Sequence, residues 1–169
     1  MSETAVALVV VLVAVPLFWA LMWLGWRARR RRQAGLAPLL PVPDQRGTGL
    51  LDDVEATYVT STFAGQQLER VVPYGLGVPS AAVVRVSTGG VLLDRRGAPD
   101  VWVPAGALLG ARLQRGIIGK VVDAEGLVVL EWEHAGTRLD TGLRLRHEAD
   151  RQRLLDAVAA LTGAGKEQP

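Results

Sequence analysis

Few side chains in this sequence combine the type and spacing that chemistry requires. The two histidines, His134 and His147, stand 13 positions apart at a strand end and a helix start, with no partner arrangement that makes them a metal-ligand set. Beyond residue 49 the serines are Ser61, Ser80 and Ser87, and none lies in a nucleophile elbow or in a defensible Ser-His-Asp set. Residues 115–120, RGIIGK, resemble a phosphate loop in outline only. Two residues separate the glycines where four are required, and Val121 stands where a magnesium-binding Ser or Thr belongs. Glu131 and Glu133 lie two apart on one strand face, the spacing of two solvated acids as much as of a general acid and base. The absence of cysteine removes thiolate chemistry, disulfides and Cys-ligated metals. The sequence therefore predicts a protein that is not an enzyme and carries no cofactor.

Binding is what remains. Arg27, Arg29, Arg30, Arg31 and Arg32 fill five of six consecutive positions. The chain has 19 basic and 17 acidic residues, and with this cluster and Glu3 set aside residues 33–169 hold 14 basic against 16 acidic. The excess positive charge thus belongs to one short segment. Nucleic-acid binding, which calls for basic residues spread over a folded face, is not expected. The segment VVPYGLGVP at 71–79 is uncharged over nine residues. Loops are normally polar, so an apolar one must fold back onto the core or cover a partner. Tyr74 and Leu76 are its candidate contacts. Trp102, in DVWVP, is a third: if Val101 and Val103 face the core, alternation turns Trp102 outward as an interface anchor, and in the other register it is a core residue.

The elements that would position these groups start with Ala5–Trp26, 22 residues without a charge. As a helix at 1.5 Å per residue this run is about 33 Å long, enough for a hydrocarbon core of roughly 30 Å. Pro16 is tolerated in a membrane span, and Trp23 and Trp26 fall where an interfacial aromatic belt would sit. A cleaved signal peptide carries its charge before the apolar run; here the order is reversed. The arginines read as a topology signal that places residues 1–4 outside and everything after Trp26 at the cytoplasmic face of the plasma membrane, with anionic lipid head groups as a further contact for residues 27–32. Gly25 is the only glycine of the run, and no small-xxx-small motif specifies self-association.

Residues 33–49 contain Pro38, Pro41 and Pro43 and end in Gly-Thr-Gly, which predicts an extended spacer. A domain is expected over 50–163. Apolar runs between glycine turns predict seven strands at 54–63, 81–87, 90–95, 100–104, 107–115, 127–134 and 138–146. In the sixth, Val128, Leu130 and Trp132 should face the core, with Val129, Glu131 and Glu133 wet. Leu154, Leu155, Val158 and Leu161 then recur at helical spacing, predicting an amphipathic helix over 148–162 with Gly163 as its cap and a disordered tail at 164–169.

Seven antiparallel strands closed by one C-terminal helix resemble the pleckstrin-homology superfold, a bent sandwich or barrel plugged by that helix. The resemblance rests on RVVPYGLG at 70–77, GVLLDRRGAPDVWVPAGAL at 90–108, GKVVDAEGLVVLEW at 119–132 and LDTGLRLR at 139–146. With the apolar run it is similar to single-span bacterial proteins, common in actinobacteria, that carry a PH-like domain. Arginine outnumbers lysine 17 to 2, which fits a GC-rich genome. The resemblance implies a scaffold that recruits a protein partner. Phosphoinositide binding would require several cations on the first hairpin loop, where only Arg70 stands, beside Glu69. An anchored OB-type barrel of five strands is the alternative fold, and an accessory subunit of a membrane complex or transporter the alternative role.

Overall fold

The structure, a computed structural model, describes residues 12–24, 36–114 and 126–164. The chain divides into two compact units, residues 1–35 and 36–169. In the first, residues 12–24 form a helix, α1, whose Leu12, Phe18, Trp19 and Met22 side chains are exposed. Among the described residues no helix is long and apolar enough to cross a membrane. The expected span at 5–26 reaches past the described helix at both ends, and the arginines at 27–32, the RGIIGK segment and residues 165–169 lie outside the described residues.

The second unit is a β domain closed by a helix. Its strands are β1 (Gly49–Phe63), β2 (Gln66–Arg70), β3 (Ser80–Ser87), β4 (Gly90–Arg95), β5 (Val101–Pro104), β6 (Leu108–Gln114), β7 (Leu127–His134) and β8 (Thr137–Leu145), followed by α2 (Ala149–Ala164). All pairings are antiparallel, in the order β5-β4-β3-β1-β8-β7-β6, with β2 paired to the end of β1. In β1 the buried Val54, Ala56 and Tyr58 alternate with exposed Asp53, Glu55 and Thr57, the period of a strand with one wet face. β1 pairs with β3 along its first part and with β8 further on, and register shifts near Leu51/Val54 and Tyr58/Thr60 mark bulges that bend it.

Turn chemistry fixes the registers. Ala135 (φ 48°) and Gly136 (φ 78°) form the two-residue connection between β7 and β8, both in the left-handed region that a type I′ hairpin requires. At Gly90 (φ 150°) a Cβ would lie 2.2 Å from the Val103 carbonyl oxygen, so only glycine lets β5 approach there. The core joins Val54, Tyr58, Val84, Leu93, Val103, Leu130, Trp132 and Leu143 from the strands to Leu154, Ala157, Val158 and Leu161 of α2. Fully burying each Leu or Val stabilises by roughly 1.5–3 kcal/mol.

Four expectations change. Among the described residues there are eight strands: β2, sequence QQLER, has no apolar alternation and forms because it returns as a hairpin on β1 after Gly65 (φ 76°). The domain begins at Leu36, not near Leu50, because Leu36 is buried in the core cluster and Leu39 packs against it. The outer face of β7 is only partly wet: Leu127 and Val129 are fully buried there with Val59 in a separate small cluster. Gly163 lies inside α2, which runs to Ala164. Eight strands with a terminal helix leave no place for the five-stranded barrel alternative.

Candidate functional site

The 71–79 segment connects β2 to β3 and divides its apolar side chains between two environments. Val71 and Leu76 are fully buried, whereas Val72 is 67% exposed, Val78 53% and Tyr74 39%. Leu76 is therefore part of the core and is removed from the candidate contacts, while Val72 and Val78 join Tyr74. The chain turns through a short 3-10 segment at Pro73–Gly75, with Tyr74 (φ 57°) and Gly75 (φ 69°) left-handed. For tyrosine this conformation is strained, and it persists only where surrounding contacts impose it.

Arg95 supplies much of that constraint. It is only 4% exposed. Its guanidinium donates to the carbonyls of Val78 (2.7 Å), Gly75 (3.0 Å) and Pro99 (3.3 Å) and to Ser80 Oγ (3.0 Å), and it lies 3.8 Å from the centroid of the Tyr58 ring. Burial pulls its pKa below the usual arginine value, with Tyr58 and Asp100 acting in the opposite sense. A cation placed here without a carboxylate hydrogen-bonded to its side chain is held by carbonyl dipoles and a π face.

A second tie comes from beneath. The Trp132 indole donates to Thr141 Oγ1 (2.9 Å), which lies 2.6 Å from Ser61 Oγ; that oxygen lies 2.7 Å from the Tyr58 hydroxyl, which donates to the Leu76 carbonyl (2.7 Å). If each hydroxyl donates to the next, every proton in the chain is used once, since indole can only donate and a carbonyl can only accept. The Leu76 carbonyl also accepts from the Ser61 amide. Burial pushes the Tyr58 phenol up to about 12.

The segment read as a spacer reinforces the loop from the other side. The Tyr74 hydroxyl donates to the Leu36 carbonyl (3.1 Å), and His134 Nε2 bonds the Ala37 carbonyl (2.9 Å). Farther on, the Arg46 and Thr48 carbonyls accept from Gly89 and Thr88 of the β3–β4 turn. Residues 36–48 are thus a strap fastened along the domain. The loop presents an apolar tip on a pinned backbone, an arrangement suited to molecular contact.

Trp102 does lie on the face opposite Val101 and Val103, which belong to the main core. It is nevertheless buried, at 6% exposure, across from Leu92 and against Gly90, so it is not an outward anchor. The candidate catalytic groups are occupied in packing. Ser61 belongs to the buried chain, Ser80 receives Arg95, Ser87 donates to the Gly90 carbonyl, and Glu131 pairs with Arg112. Among the described residues no group of three or more His, Asp or Glu could hold a metal ion.

Sequence reasoning missed Arg95 and the strap. An arginine two residues past a Leu-Leu pair on a strand reads as a solvated end, and only its spacing from Val91 and Leu93 put it on the inward face.

No curated protein matches the chain. A chain of the solved 8S snRNP assembly intermediate matches it with a TM-score of 0.50 and 9% identity, over 74% of this chain and 89% of that one, a likeness that concerns fold alone. The model of the Bacterial PH domain-like family matches residues 36–159, the same interval that the strap, the eight strands and most of α2 occupy. The chain belongs to the Bacterial PH domain-like family.

Proposed function

We propose that this protein is a non-enzymatic binding module, anchored in the plasma membrane by its N-terminal apolar run, whose PH-like domain recruits a protein partner at the cytoplasmic face. The observation that carries the contact is the exposed set Val72, Tyr74 and Val78 on a backbone held by Arg95, Tyr58 and the strap. An ordered apolar tip loses little conformational freedom on binding, so its burial contributes to affinity with a small entropic offset. The anchoring half of the proposal is supported by the charge-free residues 5–26 and the five arginines that follow. Those arginines also favour contact with anionic lipid, each worth about 1 kcal/mol near a charged surface.

Replacing Val72 and Val78 together by Asp in the full-length chain tests the contact. The exposed side chains can change without disturbing the core, and the expected result is loss of a co-purifying partner that the parent chain retains at high salt. Retention of that partner by the double variant would refute the loop as the contact. Protease treatment of sealed inside-out vesicles tests topology separately: the domain should be digested, and its protection would overturn the assigned orientation.

A further inference from the structure

We infer that the outer face of the β8-β1-β3-β4 sheet is a second binding site, taking an acidic segment of a protein partner between Arg144 and Arg96. The inference does not rest on the 71–79 loop or on the membrane anchor. It rests on the register of the sheet, which sorts the outward side chains into rows. One row runs Arg144, Thr57, Ala81, Arg96: Arg144 and Ala81 flank Thr57 on β8 and β3, and the Arg96 amide donates to the Ala81 carbonyl (2.9 Å). The next row runs Arg146, Glu55, Val83, Asp94.

The rows differ in how their charges are met. Arg146 is paired with Glu55 at 2.6 Å, and Arg85, in the row beyond, bridges Asp53 and Asp94, each at 2.8 Å. In these rows each arginine already has a carboxylate partner. Arg144 and Arg96 are both exposed, their row contains no acid, and among the described residues neither guanidinium has a partner. The two rows line an open depression of about 600 Å³. In the first row, Thr57 and Ala81 make a floor of small, uncharged side chains.

The spacing sets the occupant. Three strand intervals of about 4.8 Å put the backbones of Arg144 and Arg96 about 14 Å apart, so two long side chains can close from opposite sides on one extended chain. Carboxylates are the complementary groups, since a guanidinium offers them two parallel donors. A flat anionic membrane fits less well, because it would also meet Asp53, Glu55 and Asp94, whose side chains are 60%, 58% and 45% exposed. A narrow acidic segment can occupy the free row and leave the paired rows undisturbed.

The test is a titration of fluorescein-labelled hexaglutamate, followed by anisotropy, against the full-length chain in neutral detergent. Arg27, Arg29, Arg30, Arg31 and Arg32 are replaced by Gln throughout, so that this cluster does not compete. Arg96→Gln and Arg144→Gln should each weaken binding by at least about tenfold, the loss expected for one charge-assisted contact. Ala81→Phe, which fills the floor without altering charge, should do the same. Arg138→Gln, which removes an exposed arginine from a different row, should leave binding within about twofold, as expected for a charge that is only screened at long range. The inference is overturned by absence of hexaglutamate binding, by an equal loss in Arg138→Gln, or by Arg96-dependent binding to phosphatidylglycerol vesicles without Arg96-dependent binding to the peptide.

Discussion

Replacing Arg95 by Met keeps the aliphatic stem and removes the guanidinium that fastens the 71–79 loop. The magnitude follows from its contacts. The two shorter bonds to carbonyls, at Val78 and Gly75, are charge-assisted and worth about 1.5 kcal/mol each. The face of Tyr58 at 3.8 Å adds about 1 kcal/mol. Release of the desolvation of a buried polar group, Arg95 being 4% exposed, returns about 1 kcal/mol of the opposite sign. The net expectation is a loss of about 3 kcal/mol concentrated in the loop, equivalent to roughly two decades in a local opening equilibrium at 1.4 kcal/mol per decade. Native-state hydrogen exchange reads this residue by residue. The Leu76 and Val78 amides, bonded to the Pro73 and Gly75 carbonyls, should exchange about a hundredfold faster, while the β7–β8 ladder around Trp132 and Leu139 stays protected until global unfolding. Unchanged loop exchange, or equal acceleration in both places, would refute the claim that Arg95 holds the loop locally.

Other perturbations have definite signs. Thr62 Oγ1 is the one buried side-chain oxygen without a hydrogen-bond partner among the described residues, so Thr62→Val should raise stability in urea unfolding by about 1 kcal/mol; a loss of that size would mean the hydroxyl is satisfied. Tyr58 and Tyr74 are the only tyrosines, so in Tyr74→Phe the tyrosinate absorbance should report Tyr58 alone, with a midpoint near 12; ionisation at the ordinary value of 10.0 would contradict its burial. The bond from Arg85 holds the Asp53 carboxyl below its ordinary 3.8, so this pair contributes stability above that pH and loses it as pH falls through the lowered value. Asp53→Asn should therefore cost no more than about 1 kcal/mol at neutral pH, in keeping with an exposed pair, with the difference from the parent vanishing in strong acid. A difference that grows on acidification would give the wrong sign.

The sequence revealed the elements whose patterns are local. β7 and β8 were readable because apolar and polar residues alternate on both sides of a two-residue turn, and α2 because Leu154, Val158 and Leu161 repeat at helical spacing. β2 was not, since QQLER gains its strand conformation from pairing with β1. The strap failed for the opposite reason: its prolines suggested a free spacer, and the burial of Leu36 depends on a surface made by residues far along the chain. The loop was identified by its lack of charge, but which of its side chains face outward depended on Arg95, about 20 residues later. Alternation alone left two registers open for Trp102; pairing with β4 puts it on the face opposite Val101 and Val103, and that face is covered.

The most direct measurement is site-specific photocrosslinking in native membranes from a photoreactive residue at Tyr74, with Arg138 as an exposed control and Trp102 as a buried one. The account predicts a discrete protein adduct at Tyr74 that is absent from both controls. Lipid adducts alone at Tyr74, or the same adducts from Arg138, would contradict a partner-recruiting loop.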